Sequence, residues 1–193
     1  MKFWPKKRWK QILLIAILAF VIVVVGVLGF IFFKINSDYV SGIEVLNADG
    51  AQNVLIIYHP GLSSFMKDVA YAFADGLVEN GWRVEITTAS SQAPTDLSGY
   101  SLLALGSPVY ADGPSPTIKR HVERIGDLTG IDTVLLVTSG GSDGGAEAAM
   151  QQTVEEHNGA VELVLSLFNS APNAGDPLNI AEQAGRDLFI ADR

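Results

Sequence analysis

One long apolar run, residues 12–33, precedes a chain in which short apolar bursts alternate with stretches of helical periodicity. The run holds 22 residues without a charge. At ~1.5 Å per residue that is long enough to cross a hydrocarbon core of ~30 Å. Trp4 and Trp9 stand on its N-terminal side, where amphipathic rings favour the membrane interface. The run is longer than the apolar core of a signal peptide and ends in Phe30-Ile31-Phe32-Phe33-Lys34, without the small residues of a cleavage site. It therefore reads as an uncleaved anchor.

The most informative of the later units is the stretch 53–81. Val54, Leu55, Ile56, Ile57 and Tyr58 form an apolar burst of strand length that stops at His59-Pro60-Gly61. Phe65, Val69, Phe73 and Leu77 then recur every four residues, with Met66, Ala70 and Ala74 beside them, which predicts a helix. Ser63 or Ser64 suits its N-cap and Gly81 its C-terminal end. A strand, a tight loop and a helix N-terminus open an α/β unit, and that helix end offers free N–H groups and a positive dipole end to an anion.

The same alternation continues. Residues 82–87, 101–105, 133–138 and 160–168 predict four more strands, and 117–128, 146–157 and 177–190 predict helices, with Pro177 tolerated in a first turn. Residues 36–52 and 89–100 read as connections. Five apolar strands alternating with helices imply an α/β domain with a parallel sheet covered on both faces, and right-handed crossovers make it a doubly wound, three-layer sandwich. The expected organisation is a basic segment 1–11, a transmembrane helix 12–33, a linker 34–52 and an α/β domain 53–193. Ligands of such sheets bind beyond the carboxyl ends of the strands. Three glycine-containing turns of low charge fall at those ends: 59–64, 106–113 and 139–145.

Composition removes several chemistries. The chain has no cysteine, which excludes disulfides, thiolate metal sites and cysteine nucleophiles. His59, His121 and His157 are too far apart for a local metal-ligand pattern, and His121 and His157 read as surface residues of helical segments. Charge is strongly divided: residues 1–37 hold six basic and no acidic residues, and the remainder holds seven basic and 21 acidic, a balance of −14. Such a domain disfavours nucleic acid and suits a basic protein partner. Five basic residues precede the apolar run and Lys34 alone follows closely, so the N-terminus is expected in the cytoplasm and residues 35–193 outside, on a single-pass cell-membrane protein. Gly140-Gly141-Ser142-Asp143-Gly144 matches the G-x-S-x-G pattern of a nucleophile elbow, but the only later histidine, His157, closes the very next helix.

Residues 100–110, YSLLALGSPVY, followed by a glycine-containing turn and Ile118-Lys119, resemble the "YD-apolar-GSP-x-Y" segment of flavodoxin-like proteins. The turn 138–145 resembles that family's second flavin-flanking loop, and the resemblance extends over about residues 53–192. It implies a sheet of order 2-1-3-4-5, FMN bound at the three loops, and electron transfer through its isoalloxazine ring. Carried over residue by residue, the cofactor contacts fall on His59, Gly61, Ser63 and Ser64 in the first loop, Gly106, Ser107, Pro108 and Tyr110 in the second, and Ser139, Gly140, Gly141 and Ser142 in the third. Tyr110 is the candidate to stack on the ring. No catalytic residue and no metal ligand is assigned. The first loop departs from the family's Ser/Thr-x-Thr-Gly-Asn/Thr run: Pro60 lacks an N–H, and Phe65 and Met66 stand at polar positions. Two functions of different class fit these residues. One is a membrane-anchored, FMN-binding electron carrier or oxidoreductase that docks a basic redox partner. The other is a flavodoxin-fold domain without flavin, acting as an extracytoplasmic binding module.

Overall fold

The computed structural model of the protein describes residues 8–111, 113–142 and 144–189. The chain divides into two compact units, Met1–Lys34 and Ile35–Arg193. Helix α1 (Arg8–Asn36) dominates the first. Among the described residues it is the one helix whose length and composition allow it to cross a membrane.

The second unit contains strands β1 (Glu44–Leu46), β2 (Asn53–Tyr58), β3 (Arg83–Thr88), β4 (Leu102–Tyr110), β5 (Gly113–Pro114), β6 (Asp132–Ser139) and β7 (Ala160–Phe168), with helices α2 (Phe65–Glu79), α3 (Pro116–Ile125), α4 (Ala146–Glu155) and α5 (Pro177–Asp187). The sheet runs β1-β3-β2-β4-β6-β7, with β5 paired to β4. Strands β3, β2, β4, β6 and β7 run parallel to one another. Counted along the five expected strands, that is the order 2-1-3-4-5.

Strand periodicity divides the core in two. Val54, Ile56 and Tyr58 of β2 point to one face, into a cluster with Phe73 and Leu77 of α2 and Ala181 of α5. Leu55 and Ile57 point to the other, against Ile118 and Val122 of α3 and Met150 of α4. A strand buried on both faces has to be apolar at every position, which is why β2 reads as a continuous run rather than an alternation.

Two stretches differ from the sequence-based expectation. The segment between α1 and β2, expected as a linker, forms an edge strand: β1 pairs antiparallel with β3, Glu44 opposite Ile86 and Leu46 opposite Val84. Ahead of β1, Ser41 N donates to Thr88 Oγ1 at 3.0 Å, Thr88 N donates to Ser41 Oγ at 3.0 Å, and Thr88 Oγ1 also donates to the Tyr39 carbonyl. Ser91 N donates to Asp38 Oδ2 at 3.0 Å. Three residues are too few to show a period, so the strand left no signal in the sequence.

The stretch 106–110, expected as a loop, continues β4. Its ladder with β6 runs through Gly106 opposite Leu136 to Pro108 opposite Thr138, and Val109 then pairs with Pro114 of β5. On the other side β2 ends with Tyr58 opposite Gly106. Pro108 thus has a long strand neighbour on one side only, and an edge position tolerates its missing N–H.

Candidate functional site

The unequal strand lengths make a step at the carboxyl rim. β4 and β6 project beyond β2, and the loop after β2 crosses that step before α2 begins at Phe65. Gly61 takes φ +79°, a left-handed conformation natural to glycine. A Cβ placed there would lie 3.2 Å from Tyr110 Oη and 3.2 Å from Pro108 Cγ, so the first loop rests directly on the extension of β4.

Beside this contact is an open cleft of about 120 Å³, bounded by Leu62, Ser63 and Phe65 from the first loop, Pro108, Val109 and Tyr110 from β4, Thr138, Ser139 and Gly140 from β6 and its turn, and Asn169 after β7. Asn169 N donates to the Ser139 carbonyl at 3.0 Å and Ser170 N to the Gly140 carbonyl at 3.0 Å, so the β6–β7 pairing carries on into the two loops and fixes the third turn.

Of the residues singled out in the sequence, Ser63, Pro108, Tyr110, Ser139 and Gly140 line the cleft. His59 stands next to it, its ring edge-to-face with Tyr110 at a centroid distance of 6.1 Å and an interplanar angle of 77°. Gly106 and Ser107 lie within the sheet. A Cβ on Gly106 would come 2.7 Å from Tyr58 Cβ and 2.9 Å from Met66 Cε, so this glycine lets α2 pack closely on β4. The Ser107 hydroxyl is fully buried, accepts from Ser115 N at 2.8 Å and donates to the Pro108 carbonyl at 3.1 Å, which secures the start of α3. Ser64, Gly141 and Ser142 are exposed and outside the lining, and Asp143 lies outside the described residues. Ser64 is the N-cap of α2 without a side-chain cap, whereas Ser63 Oγ accepts from Phe65 N at 3.4 Å.

Leu62, Phe65, Val109, Thr138 and Asn169 were not anticipated as lining. The sequence signal for Leu62 was an apolar residue inside a polar turn, and for Asn169 its place just beyond the fifth strand.

Three buried polar atoms here have no hydrogen-bond partner among the described residues: His59 Nδ1, Tyr110 Oη and Ser139 Oγ. Folded proteins seldom leave such groups unpaired, and a ligand is one way to satisfy them. Burial pushes the Tyr110 phenol up to about 12. Burial also pulls His59 down to about 4, with a hydrogen bond to the Ser37 backbone opposing the shift and the Arg120 charge adding to it. Both side chains are uncharged at neutral pH. His121 corrects the sequence-based expectation of a surface residue: it is 1% exposed, and burial and the Arg124 guanidinium pull it to about 4. It belongs to a separate small pocket with Asp38, Arg120 and Arg124.

These groups fit the two ends of a flavin nucleotide unequally. The ring end finds a tyrosine, two unpaired hydroxyls and apolar walls. The phosphate end is less completely lined with donors. Pro60 has no N–H, the His59 N–H is donated to the Gly106 carbonyl at 2.9 Å, and the Phe65 N–H goes to Ser63 Oγ. Among the described residues, no lysine or arginine lines the cleft.

No protein-family model matches this sequence, and no curated protein matches it. Solved structures do match. A flavodoxin from the domain Archaea is 17% identical with a TM-score of 0.59, over 70% of this chain and 94% of that one. The two-electron reduced flavodoxin of Megasphaera elsdenii is 17% identical with a TM-score of 0.59, over 70% and 99%. The NAD(P)H:quinone oxidoreductase of Methanothermobacter marburgensis is 18% identical with a TM-score of 0.53, over 74% and 98%. The chain has the flavodoxin-like fold, with a long apolar helix at its N-terminal side. At these identities the likeness concerns the fold alone, and function has to be argued from the site.

Proposed function

We propose that the α/β unit binds a flavin ring in the rim cleft and carries electrons for a partner protein, tethered to a membrane by α1. The observation that carries this reading is the pair of buried, unpartnered hydroxyls, Tyr110 Oη and Ser139 Oγ, on two walls of one cleft at the carboxyl rim. FMN is the flavin that the sequence resemblance implies. A bound flavin would supply the redox chemistry, and the protein binding, orientation and electrostatics.

The chain's own residues divide that work. Tyr110 offers a ring for stacking and a hydroxyl to a polar ring edge, Ser139 offers a second hydroxyl, and neutral His59 braces Tyr110 edge-on. Leu62, Phe65 and Val109 exclude water from one side. A cleft of about 120 Å³ is smaller than the ~300–1,000 Å³ of typical small-molecule pockets, so a ring edge stays at the surface, where a docked partner reaches it. The −14 balance of residues 38–193 suits a basic partner held by salt-sensitive contacts. The basic residues ahead of α1 favour a cytoplasmic N-terminus and an extracytoplasmic domain, on a single-pass membrane protein.

The test is the visible spectrum of the purified chain, alone and during titration with FMN. Saturable binding near one flavin per chain is expected, and no perturbation of flavin absorbance or fluorescence overturns the proposal. Protease treatment of intact cells tests orientation: cleavage of the domain is expected, and full protection contradicts the outward placement. A second reading, a flavin-free binding module, draws support from the apolar Leu62 and Phe65 in the first loop, and it expects a null titration.

A further inference from the structure

Resting on the flavin reading, we infer that the cleft holds its ligand by the ring alone, and so takes unphosphorylated riboflavin as well as FMN. The first loop decides this. A phosphate at the start of α2 needs converging N–H and hydroxyl donors. Pro60 supplies no N–H, the His59 and Phe65 N–H groups already donate to the Gly106 carbonyl and to Ser63 Oγ, and the loop turns Leu62, 54% exposed, along the cleft. The nearest cation in the sequence, Lys67, has its Nζ over the Tyr71 ring at 5.4 Å from the centroid. Asp68 adds a carboxylate to the first turn of the helix, opposing an anion at that end. Among the described residues, the buried side-chain hydroxyls of the cleft that lack a partner are on Tyr110 and Ser139, where they meet a ring and not a phosphate.

Binding of the two flavins therefore differs little. Their affinities are measured by fluorescence titration of the full chain in detergent, with riboflavin and FMN in parallel and inorganic phosphate as a competitor. Dissociation constants within about threefold of each other are expected, with no effect of millimolar phosphate on either. FMN binding about tenfold or more tighter than riboflavin overturns the inference while leaving the flavin reading intact. If neither flavin binds, both fall together.

A second variant locates the cause. Pro60→Ser, at a position outside the cleft lining, restores an N–H and a hydroxyl to the loop. It is expected to tighten FMN by about tenfold and leave riboflavin unchanged, because a hydrogen bond to a charged group is among the stronger ones. Equal shifts for both flavins, or no shift in a variant with unaltered circular dichroism, contradict the assignment of this loop.

Discussion

The rings of His59 and Tyr110 meet edge to face, with centroids 6.1 Å apart and planes at 77°, and Tyr110 Oη lies 3.2 Å from the point where Gly61 would carry a Cβ. The first loop and the end of β4 are therefore one packed unit. Gly61→Ala puts a methyl group against Tyr110 and forces an L-residue to φ +79°. We expect a loss of about 1–2 kcal/mol in urea unfolding, together with weaker flavin binding. Unchanged stability and affinity would show that the loop and β4 are not coupled.

Tyr110→Phe separates ligand contact from packing. It removes a buried hydroxyl that has no partner among the described residues, so stability should hold or rise by up to about 1 kcal/mol. Flavin affinity should fall several-fold if that hydroxyl bonds the ring edge. A melting temperature that drops sharply, with affinity intact, would assign the hydroxyl to the protein and not to the ligand.

Much of this architecture was legible in the sequence, for physical reasons. Val54 to Tyr58 is apolar throughout because β2 is buried on both faces, and Phe65, Val69, Phe73 and Leu77 repeat because α2 buries one side. β1 left no trace, since two of its three residues are exposed. The extension of β4 was hidden because Gly106 and Pro108 are local break signals, which the ladder to β6 overrides. Ser107 illustrates the limit for the site: a Gly-Ser-Pro turn suggests a ligand contact, but its hydroxyl serves Ser115 N. His121 could have been placed in the core, because it falls between Ile118 and Val122 on the apolar face of α3.

The segment ahead of β1 is part of the folded unit, so its removal should be costly. A fragment spanning residues 48–193 loses β1, the Ser41–Thr88 pair of hydrogen bonds and the Asp38 contacts with Ser91 and Arg120. Relative to a fragment spanning 35–193, we expect it to lose about 2–4 kcal/mol in urea unfolding, at about 1 kcal/mol per net hydrogen bond. Coincident unfolding curves would mean that the segment is a passive tether.

Two buried histidines set a pH dependence. His59 and His121 both have folded values near 4, against 6.5 for the free side chain. Below about pH 6.5 the unfolded chain takes up protons that the folded chain refuses, so stability falls as pH drops from about 6.5 toward 4 and is level above about 7. Each histidine contributes at most roughly 3 kcal/mol to that loss. Arg120 and Asp38 act on His59, and Arg124 and Asp38 on His121. Asp96 and Asp127 are held below the usual carboxylate range by hydrogen bonds, so their loss comes at lower pH. Urea unfolding at pH 7.5, 6 and 5 should show the decline, and His59→Asn should reduce its slope. A flat profile over that range would contradict the burial of neutral imidazoles.

The central claim is that the cleft between Leu62, Tyr110 and Ser139 is a flavin site, and titrating flavin into the purified chain while following its fluorescence tests it most directly. Saturable quenching near one flavin per chain, weakened by Tyr110→Ala, is the predicted result. Flavin fluorescence unchanged at every protein concentration, or binding indifferent to Tyr110→Ala, would contradict it.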